Sequence, residues 1–166
     1  MLGGLLNAGK WVIRAAEYVS ATCLVLGCTI NFVNILGRYF FHAPIVWAEE
    51  IIQFMMIAGV FFGAPILTLR RAHIRMDMML TIFPESLRRG ADVFGQVVLA
   101  GVCCAIIWLG VPVIMQFIDF GQVTDAAAIP VAIPQSVIPI GLFLVIVAVI
   151  VNLLEPAPTA LNQSEP

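Results

Sequence analysis

Four long stretches without a charged side chain constrain this sequence more than any other feature. They are residues 18–37, 51–69, 93–118 and 126–154, with 20, 19, 26 and 29 residues. A helix rises about 1.5 Å per residue, so roughly 20 apolar residues cross a hydrocarbon core of ~30 Å. Transmembrane strands need only about 10 residues and alternate apolar with polar side chains, which these stretches do not. The sequence therefore predicts an all-α integral membrane protein.

Four transmembrane helices are predicted, at residues 18–37, 51–69, 93–118 and 131–154, in a single membrane domain over residues 1–166. The fourth span is expected to begin after Pro130, because Pro130 and Pro134 lack a backbone donor and suit a loop and a helix start. Residues 155–166 are expected to form a tail beyond the last span.

The composition supports the same class of protein. Hydrophobic residues make up 61% of the chain and charged residues 11%, whereas a typical soluble domain is about 25% charged. Lys and Arg together number 8 and the formal net charge is −2, which leaves no basic surface for nucleic acid. A soluble globular enzyme and a nucleic-acid-binding protein are both excluded.

Lys and Arg collect on one side of the predicted membrane protein. The N-terminal segment has Lys10 and Arg14, and the loop between the second and third spans has five arginines. The opposite side has only Arg38. Because cytoplasmic segments carry the excess of Lys and Arg, both termini are expected to be cytoplasmic.

The chemistry-bearing residues do not form a catalytic or metal-binding pattern. The four cysteines all fall within predicted spans, at Cys23, Cys28, Cys103 and Cys104, and buried free cysteine behaves as a small hydrophobic residue. Their spacing is not that of a metal site, and every Asp and Glu lies at the end of a span. We expect no catalytic residue, metal or cofactor in this chain.

Polar residues gather where the first span ends and the second begins. Asn31, Asn34 and Arg38 are spaced by three and four, so they share one helical face. Such asparagines either hydrogen-bond neighbouring helices or line a substrate pathway. Glu49 and Glu50 favour the positive end of a helix dipole, and they are expected to pair with Arg38 or with another subunit. The candidates for a subunit interface or for helix bracing are Asn31, Asn34, Arg38, Trp47, Glu49, Glu50 and Gln53.

The predicted cytoplasmic loop is basic and amphipathic. Met76, Met79, Leu80 and Phe83 recur at helical spacing beside charged residues, which predicts a short amphipathic interfacial helix between the second and third spans. Its arginines would attract anionic lipid headgroups, although a docking surface for another membrane protein would use the same charges. The candidates for this lipid-anchoring role are Arg70, Arg71, His73, Arg75, Asp77, Arg88 and Arg89.

The second span also contains a pair of glycines at GxxxG spacing, Gly59 and Gly63. This spacing brings two membrane helices close together. It fits contact with another chain and packing within this chain equally well.

Two motifs resemble those of one transporter family. GRYFF at residues 37–41, followed by Pro44 and by WAEE at residues 47–50, resembles the signature of the small membrane subunit of tripartite ATP-independent periplasmic (TRAP) transporters, the DctQ-like or Q component. RRAHIRMD at residues 70–77 resembles the second family pattern, which usually reads RRGAHI. The missing glycine is a small departure. The four spans and the cytoplasmic termini also match, so the resemblance covers nearly the whole chain.

The resemblance implies a non-enzymatic subunit of a bacterial inner-membrane transporter. Its partners would be a large multi-pass membrane subunit (the M component), a periplasmic solute-binding protein (the P component) and membrane lipids. The complex would use a sodium gradient, through the large subunit, to import an organic anion such as a C4-dicarboxylate or a sialic acid. This chain would brace the scaffold of an elevator-type transport subunit. The alternative is an autonomous small four-helix transporter or an assembly factor for a membrane complex.

Overall fold

Four long helices make up the part of the chain that the structure describes. The computed structural model describes residues 2–42, 45–70 and 85–154, with the backbone alone at 2–5 and 85–89. The helices are α1 (Leu2–Phe40), α2 (Val46–Leu69), α3 (Glu85–Asp119) and α4 (Ala132–Leu154). All four are long and apolar enough to cross a membrane. The prediction of an all-α protein with four such helices is confirmed, whereas the residues of the predicted interfacial helix, Met76 to Phe83, lie outside the described residues.

Two of the helices are much longer than a membrane crossing. At about 1.5 Å per residue, the 39 residues of α1 extend roughly 58 Å and the 35 residues of α3 roughly 52 Å. The 24 residues of α2 and the 23 of α4 extend about 35 Å each. The first and third uncharged stretches therefore form only part of their helices, and the charged N-terminal turns of α1 and α3 continue the helix beyond them.

Three of the helices form the packed centre of the protein. α1 contacts both α2 and α4, and α2 contacts α4, whereas α3 packs almost entirely against α4 within the described residues. Ile13 of α1, which is fully buried, meets Ile66 of α2 and Ala148 of α4 in the hydrophobic core. The described residues leave most of the α3 surface uncovered.

The inner face of α1 follows a regular spacing. Residues alternately three and four positions apart are buried or half-buried along its length, and these are Ile13, Ala16, Ser20, Cys23, Gly27, Ile30, Asn34 and Gly37. This is the seam spacing of packed helices. Most of these side chains are small, which allows close backbone approach in a membrane.

Glycines mark the closest helix contacts. The Ser20 hydroxyl of α1 donates a hydrogen bond of 2.6 Å to the Gly59 carbonyl of α2, and a Cβ at Gly63 would lie 2.9 Å from the Ser20 oxygen. The GxxxG pair therefore packs against α1 within the same chain. A Cβ at Gly141 of α4 would lie only 2.6 Å from the Phe61 carbonyl oxygen of α2, so this crossing also requires glycine.

Candidate functional site

Asn34 holds the turn between α1 and α2. Its side-chain oxygen accepts a hydrogen bond of 3.0 Å from the backbone N–H of Ile45, just before α2 begins. The Asn34 residue is only 7% exposed, and a buried amide needs such a partner. Asn34 therefore makes a contact within the chain, at the turn between α1 and α2.

Arg38 and Glu49 face each other across the same end of the hairpin. Their closest charged atoms are 3.9 Å apart, and both side chains are largely exposed. An exposed pair at this distance contributes little to stability, typically about 0–1 kcal/mol. Both side chains therefore remain available for contact with another molecule.

Glu50 has a different partner from its neighbour Glu49. Its two carboxylate oxygens accept hydrogen bonds from the backbone N–H groups of Ala126 (2.9 Å) and Ala127 (2.8 Å), in the loop between α3 and α4. Because adjacent side chains on a helix point about 100° apart, one carboxylate reaches Arg38 while the other anchors the α3–α4 loop.

The α3–α4 loop is a compact hairpin with its own hydrogen bonds. Thr124 N–H donates to the Ile129 carbonyl at 2.9 Å, and Val131 N–H donates to the Gln122 carbonyl at 3.0 Å. Ala128 has a φ of 52°, in the left-handed region that non-glycine residues rarely adopt. Glu50 satisfies the backbone donors at the tip of this turn, and so ties a strained loop to the start of α2.

Three predicted site residues point away from the chain. Asn31, Trp47 and Gln53 are exposed, and none of them has a hydrogen-bond partner among the described residues. Asn34, Arg38, Glu49 and Glu50 are therefore brought together by contacts at one end of the molecule, while these three form part of the outer surface.

The opposite end of the α1–α2 hairpin carries a second ion pair. Arg70, directly after α2, lies 2.7 Å from Glu17 of α1, with side-chain exposures of 63% and 35%. Arg70 was predicted to anchor the chain to lipid, and the structure gives it a partner within the chain. Of the other predicted anchoring residues, Arg88 and Arg89 lie near the start of α3, and four lie outside the described residues, at Arg71, His73, Arg75 and Asp77.

Asn152 connects the ends of α2 and α4. Its side-chain N–H donates a hydrogen bond of 2.6 Å to the backbone carbonyl of Thr68, and both residues are buried. The last carbonyls of a helix have no partner within that helix. Asn152 therefore satisfies the C-terminal end of α2 from a neighbouring helix.

Sequence reasoning missed four residues that contribute contacts: Glu17, Ser20, Thr68 and Asn152. The sequence did contain a signal for the two ion pairs. Glu17 and Arg38 are 21 residues apart in α1, and the same distance separates Glu49 of α2 from Arg70 directly after it. Matched spacing of opposite charges in two antiparallel helices predicts a pair at each end. The hydroxyl and amide contacts had no comparable signal, because they depend on helix rotation.

The contacts as a group are structural. The polar contacts described above join side chains to the chain's own backbone or to one another, and the described residues contain no cluster of three or more His, Cys, Asp or Glu that could hold a metal. Such an arrangement holds helices and loops in place. It fits a multi-pass helical membrane protein whose polar contacts hold its own helices and loops together.

Comparison of the sequence with known protein families also indicates a membrane protein, and it identifies the family. The profile of the family described as "Tripartite ATP-independent periplasmic transporters, DctQ component" matches residues 27–159. The chain belongs to this family and is a small permease component of a TRAP transporter. The family is not one of enzymes, so the prediction that the chain is not an enzyme is confirmed, as is the resemblance in the two motifs.

Three relatives illustrate the range of the family. The chain is 27% identical over 116 residues to "Putative TRAP transporter small permease protein" of Haemophilus influenzae (strain ATCC 51907 / DSM 11121 / KW20 / Rd), covering 70% of this chain and 63% of the relative. It is 26% identical over 112 residues to "Sialic acid TRAP transporter permease protein SiaT" of Haemophilus influenzae (strain 86-028NP), covering 68% and 16%. It is 23% identical over 111 residues to "Isethionate TRAP transporter permease protein DctMQ" of Oleidesulfovibrio alaskensis (strain ATCC BAA-1058 / DSM 17464 / G20), covering 67% and 18%. The aligned region thus spans less than two thirds of each relative.

Proposed function

We propose that this chain is the non-catalytic small subunit of a sodium-driven TRAP transporter for an organic anion, and that it braces the scaffold of the large elevator-type transport subunit. The observation that carries the proposal is that its polar side chains bind mainly to the chain's own backbone. Membership of the family indicates a transporter subunit, and the side-chain-to-backbone hydrogen bonds of Ser20, Glu50 and Asn152 hold the chain's own helices and loops at fixed positions. A rigid bundle of this kind suits a stationary support.

The proposal places the sodium coupling and the substrate site in the large subunit. No Asp, Glu, Lys or Arg occurs within the four uncharged stretches, whereas ion-coupled pathways normally contain ionisable groups inside the membrane. The relatives named for sialic acid and isethionate suggest an organic anion. We propose a C4-dicarboxylate or sialic acid type of substrate, captured by a periplasmic solute-binding protein.

We also propose a location for the partner contacts. The chain would lie in the bacterial inner membrane with both termini in the cytoplasm. The exposed residues at the Arg38–Glu49 end would contact other components of the transporter, and these are Asn31, Arg38, Trp47, Glu49 and Gln53. The basic residues at the Arg70 end would lie against anionic lipid headgroups.

The test is co-purification followed by reconstitution. The tagged chain, expressed with its neighbouring transporter genes, is expected to retain a much larger multi-pass protein after detergent extraction. In proteoliposomes, uptake of a labelled anion from a panel of carboxylates is expected only with both membrane subunits, the binding protein and an inward sodium gradient. Sodium replaced by potassium is the control.

Two outcomes would contradict the proposal. Uptake by the chain alone would make it an autonomous transporter. A chain that leaves the finished complex after assembling the large subunit would be an assembly factor. Within the complex, Glu49→Ala is expected to weaken subunit association or uptake, since its exposed carboxylate contributes little to the stability of the chain itself.

A further inference from the structure

One face of α3 is exposed along most of its length. Its residues recur at intervals of three, four or seven, and these are Phe94, Val97, Gly101, Cys104, Trp108 and Met115; we call them the outer face of α3. Trp108 is 80% exposed and Phe94 71% exposed. The opposite side of α3 packs against α4, so within the described residues nothing in this chain covers the outer face.

Trp108 occupies an unusual depth for a tryptophan. Asp119 ends α3 11 residues later, about 16 Å along the helix, which places Trp108 near the middle of a ~30 Å hydrocarbon core. Trp and Tyr normally collect at the two membrane interfaces. The other two tryptophans lie outside the middle of the spans, because Trp47 is in the first turn of α2 and Trp11 precedes the uncharged stretch 18–37 of α1.

The Trp108 indole N–H has no hydrogen-bond partner among the described residues. An unpaired donor in hydrocarbon costs free energy, and lipid tails offer no acceptor. A neighbouring protein helix can offer one, because the side chains of Ser, Thr, Asn and Gln are acceptors. This requirement favours protein over lipid beside Trp108.

Gly101 leaves a gap in the outer face of α3. A Cβ there would meet nothing within 4 Å, as at Gly90, Gly95 and Gly110 of the same helix and unlike at Gly63 and Gly141, where a neighbouring helix lies close. Glycine in a helix costs roughly 1 kcal/mol relative to alanine when it has no contact to make. Gly101 lies seven residues from both Phe94 and Trp108, so it forms a gap between two large side chains into which a partner side chain can fit.

We propose that the outer face of α3 is the docking surface for a transmembrane helix of the large permease subunit, and that this helix supplies an acceptor to the Trp108 indole. This proposal rests on the proposed function. The occupant follows from the long relatives, in which the matching region is only 16% or 18% of one permease polypeptide. In those chains a counterpart of this bundle is covalently joined to the rest of a permease.

A second copy of the chain fits the face less well. Two outer faces of α3 placed together would bring Phe94, Val97, Met115 and the cysteine against one another. None of these side chains offers a good acceptor to the indole N–H. Because the outer face of α3 lacks acceptor side chains, a different protein is a better partner for it than a second copy of this chain.

The experiment uses the complex with the large subunit and two matched pairs of variants. Gly101→Leu fills the gap, and Gly95→Leu makes the same change at another glycine of α3 with open space around it. Trp108→Phe removes the indole N–H, and Trp11→Phe makes the same change at an exposed tryptophan of α1. Retention of the large subunit on the tagged chain is the readout.

Gly101→Leu is expected to reduce retention strongly, and Trp108→Phe about three-fold, the effect of one ordinary interhelical hydrogen bond in a membrane. Gly95→Leu and Trp11→Phe are expected to retain the large subunit as the unsubstituted chain does. Thermal unfolding of each isolated variant checks that the bundle itself is intact, which is expected because these positions are exposed.

Cross-linking from Val97 identifies the occupant directly. A photoreactive residue at Val97 is expected to form an adduct with the large subunit. Adducts only with lipid, or with a second copy of this chain, would overturn the docking proposal, as would equal retention in all four variants. Failure of the unsubstituted chain to retain any large subunit would instead refute the proposed function.

Discussion

At the scale of single residues, Glu49 and Glu50 show how neighbours in sequence acquire different roles. Both lie near the start of the second helix, and the sequence predicts that both pair with Arg38 or with another subunit. Glu49 lies beside Arg38, as expected. Glu50 instead accepts the amides of Ala126 and Ala127, which are more than 70 positions away in sequence. The sequence predicts that both carboxylates have partners, but it does not identify the partners of Glu50.

This difference gives a prediction for the α3–α4 loop. Glu50→Ala removes both acceptors, so the Ala126 and Ala127 amides are expected to exchange with deuterium several-fold faster, because exchange requires the hydrogen bond to open. Hydrogen-exchange mass spectrometry of the detergent-solubilised protein measures this. Glu49→Ala is the matched control and is expected to leave the exchange of these amides unchanged. Unaltered protection in Glu50→Ala would show that the loop is held by its internal hydrogen bonds alone.

At the scale of elements, the helices differ in what their glycines do. Gly63 and Gly141 permit close crossings of α2 with α1 and α4, where a Cβ would meet Ser20 or Phe61 within 3 Å. A Cβ at Gly95 or Gly101 of α3 would meet nothing within 4 Å among the described residues. Sequence spacing identified Gly59 and Gly63 as a packing pair, but only the helix arrangement distinguishes glycines that pack internally from those that face outward.

The contrast predicts opposite effects of alanine on stability. Gly141→Ala is expected to lower the free energy of unfolding by about 1–3 kcal/mol, because the added methyl group overlaps the Phe61 backbone and forces the helices apart. Gly95→Ala is expected to leave stability unchanged or raise it by up to about 1 kcal/mol, since alanine favours the helix. Thermal or denaturant unfolding in the same detergent compares the two. A Gly141→Ala variant as stable as Gly95→Ala would refute the close α2–α4 contact.

At the scale of the whole molecule, two ion pairs frame the α1–α2 hairpin. Glu17–Arg70 and Arg38–Glu49 are separated by 21 residues along each helix, about 32 Å. This length is close to the ~30 Å hydrocarbon core. The pairs therefore fit the two membrane interfaces, with the basic loop beyond Arg70 on one side and the α3–α4 loop on the other.

The distribution of basic residues predicts which side is cytoplasmic. A reporter active only in the periplasm is expected to be inactive when fused after Pro166 and active when fused after Gly121, because the Lys and Arg excess lies on the side of the termini. A reporter that fluoresces only in the cytoplasm is expected to give the opposite pattern. Periplasmic activity at Pro166 would reverse the proposed orientation.

The sequence by itself determined the membrane class, the number of helices and the family. These follow from local properties, because a run of uncharged apolar residues long enough to cross the bilayer must satisfy its own backbone hydrogen bonds and therefore forms a helix. The family also follows from local sequence, because the residue types of the two motifs, at residues 37–50 and 70–77, and their order along the chain resemble those of the family. The Arg38–Glu49 contact was also within reach, since both residues flank one short turn.

The tertiary structure decided which polar groups meet and which surfaces stay open. The contacts of Glu50 with the α3–α4 loop and of Asn152 with Thr68 join residues more than 70 positions apart, and they depend on how each helix is rotated and where it crosses its neighbour. Apolar membrane helices are similar on all sides, so their sequence constrains rotation weakly. For the same reason, only the packed structure reveals that α3 keeps Trp108 and Gly101 on an uncovered face.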